Sequence, residues 1–105
     1  MKKLAIVYGE KKTPLQKKAI AILSELILDY TYEYPYCLAC GDAAVADYRC
    51  VYIGTRENNA YLRAHATCVL THAEEYAISV KDDTVCIVGS DDAGVLYGCL
   101  DFYNN

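Results

Sequence analysis

Tryptophan is absent from this chain, and phenylalanine and methionine occur once each, so its aromatic character falls on tyrosine. No apolar run approaches the roughly 20 residues that a membrane-spanning helix needs, which excludes such a span. After Met1-Lys2-Lys3 the apolar stretch from Leu4 to Tyr8 is cut off by Gly9-Glu10-Lys11-Lys12, too short for the apolar core of a secretory signal. A cytoplasmic protein or a fragment of a larger one is therefore expected. Positive charge is in deficit: Lys and Arg total 10 against 14 Asp and Glu, a formal charge of −4. That argues against a nucleic-acid footprint, which needs clustered cations. The lysines that do gather, at 2, 3, 11, 12, 17 and 18, flank a strand or cover the outer face of a helix. No repeat and no low-complexity linker divides the 105 residues, so one domain is expected. With 54% apolar and 23% charged residues it is globular.

What is abundant is cysteine and tyrosine. Six cysteines occur at 37, 40, 50, 68, 86 and 99. Several lie in strand-like settings such as Cys50-Val51-Tyr52-Ile53 and Val85-Cys86-Ile87. Free cysteine behaves as a small buried hydrophobe, so reduced structural thiols are expected. The eleven tyrosines include an alternating row, Tyr30, Tyr32, Tyr34 and Tyr36. In an extended strand these would point the same way, and Pro35 suits an edge. The row, taken as a strand from Tyr32 to Leu38, reads as a domain or subunit interface, a sugar-stacking surface, or a half-buried edge with hydroxyls in solvent. Tyr32, Tyr34 and Tyr36, with Tyr97 further on, are the candidate contact residues.

Local signals order the rest. Residues 3–8 read as a strand buried on both faces. Thr13-Pro14-Leu15-Gln16 has the form of a capping box, with Thr13 at N-cap, Pro14 at N1 and Gln16 at N3. Leu15, Ala19, Ile22, Leu23, Leu26, Ile27 and Tyr30 then form a helical stripe expected to face a sheet. Residues 39–49 suggest a loop or short helical turn, 50–54 an interior strand, 56–66 a weak helix and 67–70 a short strand. Residues 76–80 and 85–88, joined across Asp82-Asp83, read as a β-hairpin. Ser90 or Asp91 caps a final helix, whose expected inward stripe is Val95, Leu96, Cys99, Leu100 and Tyr103. Gly94 and Gly98 share one face of it. An interior glycine costs about 1 kcal/mol relative to alanine, so close approach of helix to sheet is expected to offset that.

Candidate chemistry is thin. Gly89-x-x-x-x-Gly94 lacks the Gly-Lys-Ser/Thr of a phosphate loop, and Asp91-Asp92 would repel phosphate. The acidic pairs 74–75, 82–83 and 91–92 are sequence neighbours. Glycosidase carboxylates must face each other across a substrate, about 5–9.5 Å apart. Cys37-x-x-Cys40 and Cys68-x-x-x-His72 have spacings that zinc tolerates without the repeated knuckle of a zinc ribbon, and neither His65 nor His72 has an evident nucleophile beside it. No catalytic, cofactor or metal residue is assigned.

One resemblance stands beside this reading. Glu75-Tyr76-x-Ile78-x-Val80 followed by Val85-x-Ile87-x-Gly89-x-Asp91-x-x-Gly94-Val95-Leu96-Tyr97-Gly98 resembles the end of the N-terminal domain of bacterial alpha-glucuronidases and beta-N-acetylhexosaminidases. Asp91-x-x-Gly94-Val95-Leu96-Tyr97-Gly98 is its most specific part. Val51-Tyr52-Ile53-Gly54-Thr55 is similar to the family's third-strand run, and residues 4–28 fit its first strand and helix. The resemblance implies an α/β domain: a single mixed sheet with helices packed mainly on one face. It also implies a catalytic (β/α)8 barrel downstream that carries the reacting carboxylates, with carbohydrate met through the parent enzyme. No catalytic residue of the family maps onto this chain, and the barrel is not in it. The expectation is a non-catalytic accessory domain that packs on and stabilises such a barrel. The alternative is a stand-alone glycan- or protein-binding module that uses the tyrosine edge.

Overall fold

The computed structural model describes residues 2–104, with side chains through Phe102. In chain order it comprises β1 (Leu4–Tyr8), α1 (Pro14–Thr31), β2 (Tyr36–Ala39), a 3-10 turn (Ala43–Asp47), β3 (Arg49–Thr55), α2 (Ala60–His65), β4 (Tyr76–Lys81), β5 (Thr84–Gly89) and α3 (Asp92–Asn104). The strands form one sheet in the order β2-β1-β3-β5-β4. The first four are parallel, and β4 closes the far edge antiparallel to β5. The expected mixed sheet is thus observed. Among the described residues no helix is long and apolar enough to cross a membrane.

α1 and α3 cover one face of the sheet. There Ile6, Ile53 and Ile87 meet Leu23, Val95 and Cys99, all without solvent exposure. The other face is covered more thinly, by α2, the 3-10 turn and the segment 66–75, over Val7, Tyr52, Leu62 and Val88. The central strands are buried on both faces, as residues 3–8 and 50–54 suggested: β1 and β3 each run through three or more consecutive buried positions.

α1 starts where the capping residues place it. The Thr13 hydroxyl accepts from the Gln16 backbone N–H at 3.2 Å. The reciprocal half of the box does not form: Gln16 turns inward, its Oε1 accepting from the Gly9 N–H at 3.4 Å. The buried stripe is Gln16, Ala19, Ile20, Leu23, Leu26 and Ile27. Ile20 replaces Ile22 on the innermost line, while Leu15 and Tyr30 stand exposed, because 16-19/20-23-26/27 is the row that follows the sheet.

The tyrosine row is not a strand. α1 runs on to Thr31, and Tyr32 ends it in the left-handed conformation (φ 62°), its N–H donating to the Leu28 carbonyl at 2.8 Å. Pairing begins only at Tyr36, so Tyr32 and Tyr34 lie in the turn before β2. The edge placement does hold, since β2 is the outermost strand. Nor do residues 67–70 form a strand. They run across the thin face, where the Arg56 guanidinium donates to the carbonyls of Ala66 and Cys68.

Between the carboxyl ends of β1 and β3 the wholly buried Asn59 donates to the carbonyls of Val7 (3.2 Å) and Ile53 (2.9 Å) and accepts from the N–H groups of Tyr61 and Leu62. Asn58 exchanges two 2.7 Å bonds with the Lys11 backbone. The crevice where parallel sheets usually take ligands is therefore closed by the chain's own amides.

The hairpin turns across Asp82-Asp83, with Asp82 in the left-handed region (φ 55°). α3 begins with Asp91, whose Oδ1 accepts from the Gly94 N–H at 2.8 Å. Its inward stripe is Val95, Leu96, Cys99 and Phe102. Leu100, expected inward, is exposed, and Tyr103 lies outside the described side chains. The two glycines explain how close the helix comes. A β-carbon at Gly94 would overlap the Glu75 carbonyl oxygen, and one at Gly98 would lie 2.7 Å from Ile87 Cγ2. Gly94 faces backbone, which cannot rotate away, whereas Gly98 faces a side chain. Gly94→Ala should therefore destabilise the domain by about 3 kcal/mol and Gly98→Ala by about 1–2 kcal/mol, net of the helix-propensity gain. Urea unfolding monitored by circular dichroism checks both the sizes and their order.

Candidate docking face and ligand crevice

The acidic pairs are occupied structurally. Glu74 adopts a left-handed conformation (φ 63°), and its N–H donates to Asp91 Oδ2 at 3.1 Å. The Glu75 carboxylate accepts from the N–H groups of His72 (3.0 Å) and Thr71 (2.8 Å). Asp82 and Asp83 form the hairpin turn, and Asp101 accepts from the Tyr76 hydroxyl at 3.0 Å. Each pair thus contributes to a turn, a cap or a clasp.

The sequence-derived contact residues are brought together only in part. Tyr36 begins β2 and packs on Tyr48, the ring centroids 5.0 Å apart and tilted. Tyr34 reaches Glu25 on α1 with its hydroxyl at 3.3 Å, and the Glu25 charge raises its phenol pKa. Tyr32 is almost fully exposed, and Tyr97 sits on α3, away from the row. Tyr34 and Tyr36 do share a crevice of about 320 Å³ at the amino ends of β1 and β3, together with Lys2, Lys3, Glu33 and Arg49. Lys3 pairs with Glu33 at 3.1 Å, and that contact raises its pKa. Lys2 Nζ donates to the Ala46 carbonyl at 3.3 Å. The cations could not be found by spacing, because residues 2–3, 33–36 and 49 meet only through parallel pairing of β2, β1 and β3.

A second surface is apolar. On the outer side of the helical layer, Ala21, Ile22 and Leu100 line an open groove of about 380 Å³ between α1 and α3, with Lys18 and Glu25 beside them. A neighbouring apolar hollow of about 260 Å³ is lined by Leu4, Leu26, Tyr30 and Phe102. The two lie along the same pair of helices. The Ile22 and Leu100 positions follow from each helix carrying one more apolar line than its contact with the sheet uses.

No protein family matches this sequence, and no curated protein matches it. The fold is shared with part of a solved glycoside hydrolase. A GH138 enzyme targeting pectin rhamnogalacturonan II aligns with 96% of this chain at a TM-score of 0.63 and 19% identity. The chain spans 10% of that enzyme's length. At that identity the likeness establishes the fold, one that a glycoside hydrolase also contains.

The thin face carries the aromatic and thiol groups that sequence reading left scattered. Tyr52 and Tyr61 stack with centroids 3.6 Å apart and planes at 5°, and His65 lies 4.1 Å from Tyr61. Burial raises the Tyr52 phenol pKa. All six cysteines are free. Cys37 and Cys40 lie at β2, Cys68 in the 66–75 segment, and among the described residues no three His, Cys, Asp or Glu groups converge to hold a metal. Cys99 is wholly buried, and desolvation pushes its thiol up to about 12, whereas Cys37 is exposed. Since the thiolate is the nucleophile, iodoacetamide at pH 8 should label Cys37 in the native protein and Cys99 only after unfolding. Peptide mapping by mass spectrometry reads both.

The Glu75 contacts give a pH dependence. The backbone N–H groups of His72 and Thr71 hold its carboxyl below the ordinary 4.5. A carboxyl lowered in the folded state stabilises only while ionised, so its contribution is present above 4.5 and fades as pH falls through the lowered value. Protection of the Thr71 and His72 amides, measured against their intrinsic exchange at each pH, should fall on acidification below 4.5. In Glu75→Gln that protection should show no acid transition, which pH-resolved NMR exchange detects.

Proposed function

We propose that this chain is a non-catalytic accessory domain of a glycoside hydrolase-like protein, which packs on a catalytic (β/α)8 barrel and stabilises it. The observation that carries this is the pair of coverages: nearly the whole chain aligns with one tenth of a glycoside hydrolase, the relation expected of a module within a larger enzyme. The acidic pairs support it, since Glu75, Asp82 and Asp91 are used in a clasp, a turn and a cap. The sequence motif at residues 91–98 favours a parent of the alpha-glucuronidase or beta-N-acetylhexosaminidase type, of bacterial origin. The barrel would rest on the outer side of α1 and α3, where Ala21, Ile22 and Leu100 line the groove.

The purified chain should show no turnover of aryl glycosides; turnover that follows the protein through purification overturns the accessory role. Ala21 is exposed and lies in the groove. Ala21→Glu should leave the isolated domain within about 0.5 kcal/mol of its parent yet lower the unfolding midpoint of the longer protein. Equal stability of variant and parent in the longer protein sinks the docking face.

A second reading has its own observation. The crevice that gathers Tyr34 and Tyr36 with three cations suits a glycan- or protein-binding module acting alone, and direct ligand titration of the isolated chain separates that role from pure scaffolding.

A further inference from the structure

We propose that the crevice at the amino ends of β1 and β3 is a binding site for a carboxylate-bearing sugar, a uronic acid residue, held by Arg49 and Lys2 and flanked by Tyr34 and Tyr36. The charge balance of the lining is the first argument. Lys2, Lys3 and Arg49 face one acid, Glu33, and that acid is engaged by Lys3. Two cations are left over in a chain whose overall charge is −4. Asp83 comes only within 4.0 Å of Arg49 Nη2 and is itself mostly exposed, so it neutralises little of the guanidinium.

The second argument is an orphaned donor. Arg49 Nε is buried and has no hydrogen-bond partner within the protein. A buried donor left unmade is costly; a swing of the partly exposed side chain toward the crevice would free Nε and Nη2 as a fork that matches one carboxylate. At the end of α1 the Thr31 hydroxyl donates to the Ile27 carbonyl at 2.7 Å, and the Tyr32 N–H to that of Leu28.

The third argument is shape. A space of about 320 Å³ is near the lower end of small-ligand sites and suits one or two pyranose rings. Tyr34 and Tyr36 offer apolar ring faces with polar tips, matching a sugar's C–H face and hydroxyls. The carboxylate preference rests on the crevice alone. The choice of a sugar as its carrier rests on the carbohydrate reading above.

The test is an amide-shift titration of the isolated chain with sodium galacturonate and its disaccharide, with galactose and acetate as controls. The uronates should shift Lys2, Lys3, Glu33, Tyr34, Tyr36 and Arg49 together and bind at least about tenfold more tightly than either control, with the difference narrowing as salt is raised. Arg49→Met should weaken uronate binding about tenfold and Arg49→Lys less, because a point charge lacks the fork. Lys2→Ala, at an exposed position, gives the same readout should the Arg49 variants fail to fold. Absence of shifts, acetate equal to galacturonate, galactose equal to galacturonate, or unchanged binding in the variants each overturns the proposal. Ala21→Glu should leave this titration untouched, so failure of the docking face and failure of the crevice are read separately.

Discussion

Between α3 and the β4–β5 hairpin there is no room for a β-carbon at two successive turns of the helix. Gly94 lies against the Glu75 carbonyl and Gly98 against Ile87. That closeness lets Val95 and Cys99 reach the sheet centre, and it brings the helix start within reach of the loop before β4. Asp91 then serves two donors, Gly94 and Glu74, while Ser90 and Glu75 exchange bonds through the Ser90 hydroxyl and amide. The acids that could have suggested chemistry are the ones used here, since a left-handed Glu74 and a helix start both present N–H groups in need of acceptors. The engagement of these acids and the tightness of the packing have a common origin in these residues.

The two ends of the sheet have opposite characters. At the carboxyl ends of β1 and β3, Asn58 and Asn59 turn their amides onto the backbone and close the crevice. At the amino ends the chain leaves a gap between the last turn of α1, the start of β2 and the first residue of β3. Burial of amides at one end contributes to stability, while long cationic and aromatic side chains at the other can rearrange without disturbing the core.

Much of this was legible where the signal is local. Thr13-Pro14 set the start of α1, the Asp82-Asp83 hairpin and the Gly94/Gly98 face stood as read, and the buried strands β1 and β3 followed from their apolar runs. Failures came where two local rules competed. Alternation in Tyr30-Thr31-Tyr32-Glu33-Tyr34 imitates a strand, but a helix already under way continued through Thr31 and needed a left-handed residue to stop it, so the row lost its common face. Gln16 was read as a capping partner, but the sheet draws it inward to the Gly9 amide. Residues 67–70 have strand-forming composition but cross the thin face, where the Arg56 guanidinium donates to the carbonyls of Ala66 and Cys68. Of the crevice, the tyrosines could be suspected from sequence. Arg49 and the lysines could not, because nothing in their spacing foretells which strand lies beside β1.

The position of α3 after all five strands bears on how the domain comes into being. Its residues share a buried cluster with Ile6 and Leu23, so the helical layer stays unfinished until α3 has been made. A ribosome adding roughly 5–20 residues per second would hold the earlier strands for seconds with Ile53 and Ile87 uncovered. Over that interval the nascent chain is a natural client for chaperones, and any loss of α3 would leave an open sheet rather than a smaller domain.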